Sequence, residues 1–204
     1  MFSNKVAGGR TLVYRRYLTP LCYGRVMCPR PAPDLDQRRD QITGAARSIS
    51  EAEGWEAVTM RRLASELGVT QPVIYSAFAG GRQALVDAVA LGGFDAIAAA
   101  LERVPAEPLA RMQAYVDFAA AQPHVYEAMF SMPSGLEFGT GAGPLSLQRA
   151  FAGIRAAFPG PSVIEAEVAW ATAHGLASLE ISRRLPASRS RARLDYVHQV
   201  LTRG

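Results

Sequence analysis

Apolar residues recur along this chain every three or four positions, the spacing of helices that bury one face. Ile42, Ala45, Ala46, Ile49 and Ala52 share one face of a first helix, which Asp34 or Asp36 can cap and Gly54 ends. Met60, Leu63, Ala64 and Leu67 mark a second, shorter helix, capped by Thr59 and stopped at Gly68. A third begins at Thr70 or Gln71, with Pro72 in its first turn, where a missing N–H costs nothing. A long helix is predicted over about 82–101, with Leu85, Val86, Val89, Phe94, Ile97 and Leu101 inward, until RVPAEP breaks it. Leu109, Met112, Tyr115, Val116 and Ala119 predict another, ending near Gln122, and Pro123 opens a short one carrying Val125, Tyr126, Met129 and Phe130. Beyond the Gly/Pro loop SMPSGLEFGTGAGP, helices are predicted over about 145–158 and 162–185. After PASRSRAR, Leu194, Val197, Val200 and Leu201 mark a last one. Runs of Val, Ile and Thr that could serve as strands are nearly absent. The predicted class is all-α: a three-helix helix-turn-helix unit over 34–81 and a larger helical bundle over 82–204.

Charge changes this picture by its distribution. The chain of 204 residues carries a formal net charge of +4, from 22 Lys+Arg against 18 Asp+Glu. Residues 1–33 hold Lys5, Arg10, Arg15, Arg16, Arg25 and Arg30 and no acid, which leaves 16 basic against 18 acidic residues beyond them, a net −2. Any surface for a polyanion must therefore be local. The proline-dense CPRPAPD blocks a helix before Asp34, so 1–33 is expected to be a basic, unstructured arm, either following a phosphate backbone or an upstream extension before Met27. Cys22 and Cys28 are expected to be free thiols of a reducing cytoplasm. No apolar run is read as reaching the ~18 residues of a membrane span, and Arg15 and Arg16 interrupt any signal-peptide core.

The segment TMRRLASELGVTQPVIYSAF, residues 59–78, has the parts of a device that reads DNA. A first helix rests across the backbone, a tight turn sets the second at a steep angle, and the head of the second meets base edges. Leu63, Ala64 and Leu67 are expected to pack on Ile74 and Phe78, with Thr70, Gln71, Val73, Tyr75 and Ser76 turned outward. Gln71 can bond adenine in bidentate fashion and Val73 can meet a thymine methyl. Thr59, Thr70 and Tyr75 offer hydroxyls to phosphate, and Arg61, Arg62 and Arg82 offer guanidinium groups. An ordinary helical corner with solvated side chains is the competing reading.

The sequence GWEAVTMRRLASELGVTQPVIYSAFAGGRQALVDAV resembles the N-terminal domain of TetR-family transcriptional repressors. Gly54, Thr59, Leu63, Ala64, Gly68, Val69, Thr70, Tyr75, Phe78 and Leu85 fall in that family's order over residues 37 to about 90. The resemblance implies that Thr59, Thr70, Gln71, Tyr75 and their neighbours face DNA. Three positions depart from it: Ala77 stands where a phosphate-binding histidine is usual, Arg82 replaces a lysine one residue later, and Ser50 replaces an aromatic. In the body, WATAHG with Trp170, His174 and Gly175, together with QPHVYEAMFS, resembles the WHG-type regulatory domain of the same family. That implies a domain for effector binding and dimerisation.

Trp170 and His174, one turn apart, share a helix face and are expected to line an effector pocket with Tyr115, Phe118, Tyr126, Met129 and Phe130. A packed core with a hydrogen-bonded histidine is the alternative. His124, His174 and His198 are too scattered for a metal site, GTGAGP lacks the context of a phosphate loop, and no Gly-x-Ser-x-Gly exists, so neither a cofactor nor enzymatic activity is expected. The expected function is a ligand-responsive transcriptional repressor. It would bind double-stranded operator DNA of palindromic sequence as a homodimer, joined through the helices over 162–185 and 191–203, and answer to a small-molecule effector. A dimeric regulator without an inducer, or a helical small-molecule-binding protein with an incidental corner, are the alternatives.

Overall fold

A computed structural model of the chain describes residues 34–136 and 143–201. The basic arm, the two cysteines and part of the Gly/Pro loop lie outside the described residues. Among the described residues there are nine α-helices and no strand. An N-terminal head is built from α1 (Leu35–Glu53), α2 (Met60–Glu66) and α3 (Gln71–Ala77). The body is α4 (Gly81–Glu102), α5 (Pro108–Ala121), α6 (Pro123–Phe130), α7 (Leu145–Arg155), α8 (Ile164–Ile181) and α9 (Ser190–Leu201).

Local chemistry sets the helix ends. Asp34 caps α1 by accepting from the Gln37 N–H at 2.7 Å, and Thr59 caps α2 by accepting from the Arg62 N–H at 3.1 Å. At the end of α2, Gly68 takes φ +63. The Val69 N–H bonds the Ala64 carbonyl and the Gly68 N–H bonds the Ser65 carbonyl, the paired closure of a left-handed helix end. This turn brings Ile74 of α3 onto Leu63 and Ala64, with all three buried. The helix expected over 162–185 is shorter at both ends. Arg183 takes φ +57, and the N–H groups of Arg184 and Leu185 both close onto the Leu179 carbonyl, which ends α8 early. A 3-10 turn over Trp55–Ala57, unannounced by the pattern, fills the step between α1 and α2.

One continuous apolar core runs from Ile42 of α1 to Leu194 of α9, so head and body are not separated by a polar layer. Its axis is α4, where Leu85, Val86, Val89, Phe94, Ile97 and Leu101 are all buried. The expectation that no segment is long and apolar enough to cross a membrane needs correcting here: α4 has an 18-residue window of mean hydropathy 1.8. Half of that window is buried inside the fold, where α4 touches α1, α6 and α7, and this burial accounts for its apolar character. Close approach at two glycines makes the packing work. A Cβ at Gly93 would lie 2.6 Å from Met129 Sδ and 2.8 Å from Val125 Cγ1, and one at Gly153 would lie 2.9 Å from Leu101 Cδ1.

Candidate functional site

The short helix α3 has one buried side and one open side. Ile74 and Ala77 are buried, whereas Thr70, Gln71, Tyr75 and Ser76 are exposed and Val73 is half-buried. Tyr75 keeps 48 % of its surface in solvent. The Ser76 hydroxyl donates to the Val73 carbonyl at 2.8 Å, and the Thr70 hydroxyl makes no cap bond. On α2, Arg61 and Arg62 are exposed. Arg62 lies 3.0 Å from Glu53 and 3.7 Å from Glu66, so a phosphate would compete with two exposed carboxylates for it.

One expectation changes. Arg82 was expected to reach phosphate, but its guanidinium donates to the Val58 carbonyl and, at 2.9 Å, to the Trp55 carbonyl, and sits over the Trp55 ring. These contacts make it a brace for the 55–58 segment. Ala77, the position where the resemblance expects a histidine, is fully buried, in keeping with a missing phosphate contact. Its side chain faces the core, and its carbonyl accepts from Arg39 Nε of α1 at 2.9 Å.

In the body, five of the seven expected effector residues form one connected cluster. The Trp170 indole N–H donates to the Tyr115 hydroxyl at 3.2 Å, Tyr115 and Tyr126 hydroxyls lie 3.1 Å apart, and the Tyr126 hydroxyl lies 2.6 Å from His174 Nδ1. An indole can only donate, so Trp170 is the donor to Tyr115. On the far side of the ring, His174 Nε2 lies 3.5 Å from the Ser178 hydroxyl. Burial pushes the Tyr115 phenol up to about 12, pushes the Tyr126 phenol up further with help from the adjacent Tyr115, and lowers the His174 imidazolium below its ordinary value. Phe130 closes on this cluster, 4.6 Å from the His174 ring and 4.8 Å from the Tyr126 ring. Phe118 and Met129 are buried in the same core.

These rings touch one another. Two cavities among the described residues lie away from this cluster. One, of about 750 Å³, lies between α1 and α4 beside Arg39, Arg47 and Asp87, and the other, of about 370 Å³, lies between α8 and α9 beside Leu176, Arg193 and Tyr196. Sequence reasoning also missed Glu51 and Trp55, which tie the head to α6. The Trp55 indole donates to the His124 carbonyl at 2.8 Å and Glu51 accepts from the Val125 N–H at 2.7 Å. No local pattern around Gly54 signals partners 69 and 74 positions away.

Two family models match the chain, one after the other. Residues 42–89 match the family model of bacterial regulatory proteins of the tetR family, and residues 109–202 match that of the tetracyclin repressor-like C-terminal domain. No curated protein sequence matches the chain. Among solved structures, a Rhodococcus sp. RHA1 protein of unknown function is 27 % identical with a TM-score of 0.64, covering 85 % of this chain and 96 % of its own. A tetR-family transcriptional regulator from Streptomyces coelicolor is 20 % identical with a TM-score of 0.59, covering 83 % of this chain and 82 % of its own. The Streptomyces coelicolor TetR family protein ActR, in complex with (S)-DNPA, is 19 % identical with a TM-score of 0.52, covering 83 % of this chain and 96 % of its own. With a two-sided α3 set on a glycine turn in the head, and head and body matched in order to two domains of one family, the chain belongs to the tetR family of DNA-binding transcriptional regulators.

Proposed function

We propose that the protein is a ligand-responsive repressor that binds a palindromic operator as a homodimer. Residues 34–81 read DNA in the cytoplasm, and residues 82–204 bind the effector and pair the subunits. The observation that carries the DNA-reading assignment is the open face of α3, where Gln71, Tyr75 and Ser76 stand exposed above buried Ile74 and Ala77. Gln71 and Val73 meet base edges; Thr59, Thr70, Tyr75, Ser76, Arg61 and Arg62 meet the backbone. Arg82 acts through the 55–58 segment that it braces. The dimer reading is supported by apolar side chains left exposed on the last two helices, Ile164, Val168 and Leu179 on α8 and Tyr196 and Val200 on α9.

The effector site is proposed at Tyr115, Tyr126, Phe130, Trp170 and His174, bordered by Phe118 and Met129. Support comes from the half-buried polar chain within it and from ActR, a protein of this fold seen with a small molecule. Because the rings are now in contact, a ligand must part them. The effector-bound body therefore differs in shape from the present one, and the ligand shifts the population between two shapes. The filled ring cluster also favours a second reading, a dimeric regulator without an inducer. The test is binding to the DNA upstream of the protein's own gene by fluorescence anisotropy. Loss of affinity in Gln71→Ala and Tyr75→Ala supports the reading head, and unchanged affinity in both would remove it. Release of that DNA by a small molecule in the intact protein but not in Trp170→Ala separates the two readings of the body.

A further inference from the structure

The N-terminus of α6 is held by the reading head. Gln122, which precedes α6, supplies no side-chain cap, so the first N–H groups of that helix need an acceptor from elsewhere. Glu51 of α1 provides it, accepting from the Val125 N–H at 2.7 Å and placing a carboxylate at the positive end of α6. Beside it the Trp55 indole donates to the His124 carbonyl at 2.8 Å, and Arg47 donates to the Gln122 side-chain oxygen at 2.5 Å. The next residue along α6 is Tyr126, whose hydroxyl bonds His174. In the other direction, the carbonyls of Trp55 and Val58 hold Arg82, and Thr59, which follows Val58, caps α2.

We infer that Glu51 and Trp55 are positioning residues for DNA binding: they clasp the N-terminus of α6 and carry a displacement of Tyr126 into the head. The inference rests on the reading of the Tyr126–His174 cluster as the responsive site. The physical argument is stiffness. Helix α6 has only eight residues, bounded by Pro123 at one end and by Phe130, packed on His174, at the other. A ligand that parts Phe130 and Tyr126 from His174 cannot bend so short a helix and moves it as a unit. That motion pulls on the His124 carbonyl and the Val125 N–H, and so on Trp55 and Glu51. The rival path is apolar, through α4, where Gly93 lies against Met129 and Val125.

A double-mutant cycle separates the two paths. The perturbation is Tyr126→Phe, which deletes only the hydroxyl on His174, and the readout is affinity for the DNA upstream of the protein's own gene. Tyr126→Phe is expected to change that affinity about fivefold or more. In a Glu51→Ala or Trp55→Phe background the same change is expected to shrink to less than about twofold. A Glu51→Gln background, which keeps an acceptor for the Val125 N–H, is expected to preserve it. Thermal melting checks that every variant folds. An equal effect of Tyr126→Phe in all backgrounds would overturn the clasp in favour of the α4 path. No effect of Tyr126→Phe in an otherwise intact, DNA-binding protein would remove both the clasp and the responsive site, with the reading head left standing. Failure of the unaltered protein to bind this DNA would defeat the proposed function itself, and the clasp with it.

Discussion

At the scale of single residues, exposure separates side chains that serve binding from those that serve the fold. Gln71 is exposed and makes no internal bond that its loss would orphan, so Gln71→Ala is expected to weaken DNA binding by about 1–3 kcal/mol with the unfolding midpoint unmoved. Arg82 is expected to behave in the opposite way. Arg82→Ala removes the guanidinium donor from the Val58 carbonyl and leaves the Trp55 carbonyl with the Val58 N–H alone, and is expected to cost about 1–3 kcal/mol in urea unfolding. The salt slope of DNA binding tells a brace from a phosphate contact. It should stay as it is in Arg82→Ala, and a slope shallower by about one would restore the phosphate role. His174 gives a pH dependence of definite sign. Burial lowers its folded pKa below the ordinary 6.5, so the unfolded chain binds the proton more readily. Its contribution to stability is complete above about pH 6.5 and is lost as pH falls from there through the folded pKa. Wild-type protein should therefore lose more stability between pH 7 and pH 5 than His174→Gln, and parallel curves would show that His174 does not carry the effect.

At the scale of elements, the helices were legible because their boundaries rest on local chemistry. Asp34, Thr59 and Gly68 act where a side-chain oxygen or a left-handed turn is required, and each is decided within four residues of sequence. Gly68→Ala is accordingly expected to destabilise by about 1–2 kcal/mol, and Gly68→Asn by less, since asparagine tolerates that conformation. Early termination of α8 was not legible, because it depends on Arg183 adopting φ +57, which no sequence rule assigns to arginine. Contacts that join elements were legible only where a helix face announced them. Trp170 and His174 fall one turn apart, so their shared face could be read, and partners from α5 and α6 followed from the apolar pattern. The bond from Trp55 to His124 joins positions 69 apart and that from Glu51 to Val125 joins positions 74 apart. A tryptophan and a glutamate near a glycine carry no sign of such partners. Gly93 belongs with these: it resembles any helix-weakening glycine until α6 is laid against it. Gly93→Ala forces a Cβ into Met129 and Val125 and is expected to cost about 1–3 kcal/mol by equilibrium unfolding.

At the scale of the whole molecule, affinity for DNA has to come from geometry more than from charge. Residues beyond 33 carry a net −2, so the field of the body does not draw a polyanion, and a few cations on α2 must act at close range. One reading head offers a helix of seven residues, a small footprint for specific recognition. Two heads on one dimer make the second contact intramolecular, which raises avidity roughly 10²–10⁴-fold without any new bond to DNA. The exposed Ile164 and Val168 of α8 and Tyr196 and Val200 of α9 are where the proposed pairing would act, and the apolar cavity between α8 and α9 beside Tyr196 can receive a side chain from the second copy. Replacing Val168 and Tyr196 together by glutamate places like charges on both sides of a two-fold contact and leaves the reading head untouched. Sedimentation is expected to report a dimer for the unaltered protein and monomers for the double variant, and affinity for a two-half-site duplex should fall by about the avidity factor. Affinity for a single half-site should be unchanged. If the double variant sediments as a dimer, the interface lies on another face; if it is monomeric yet binds the full duplex as tightly as before, the head does not depend on pairing.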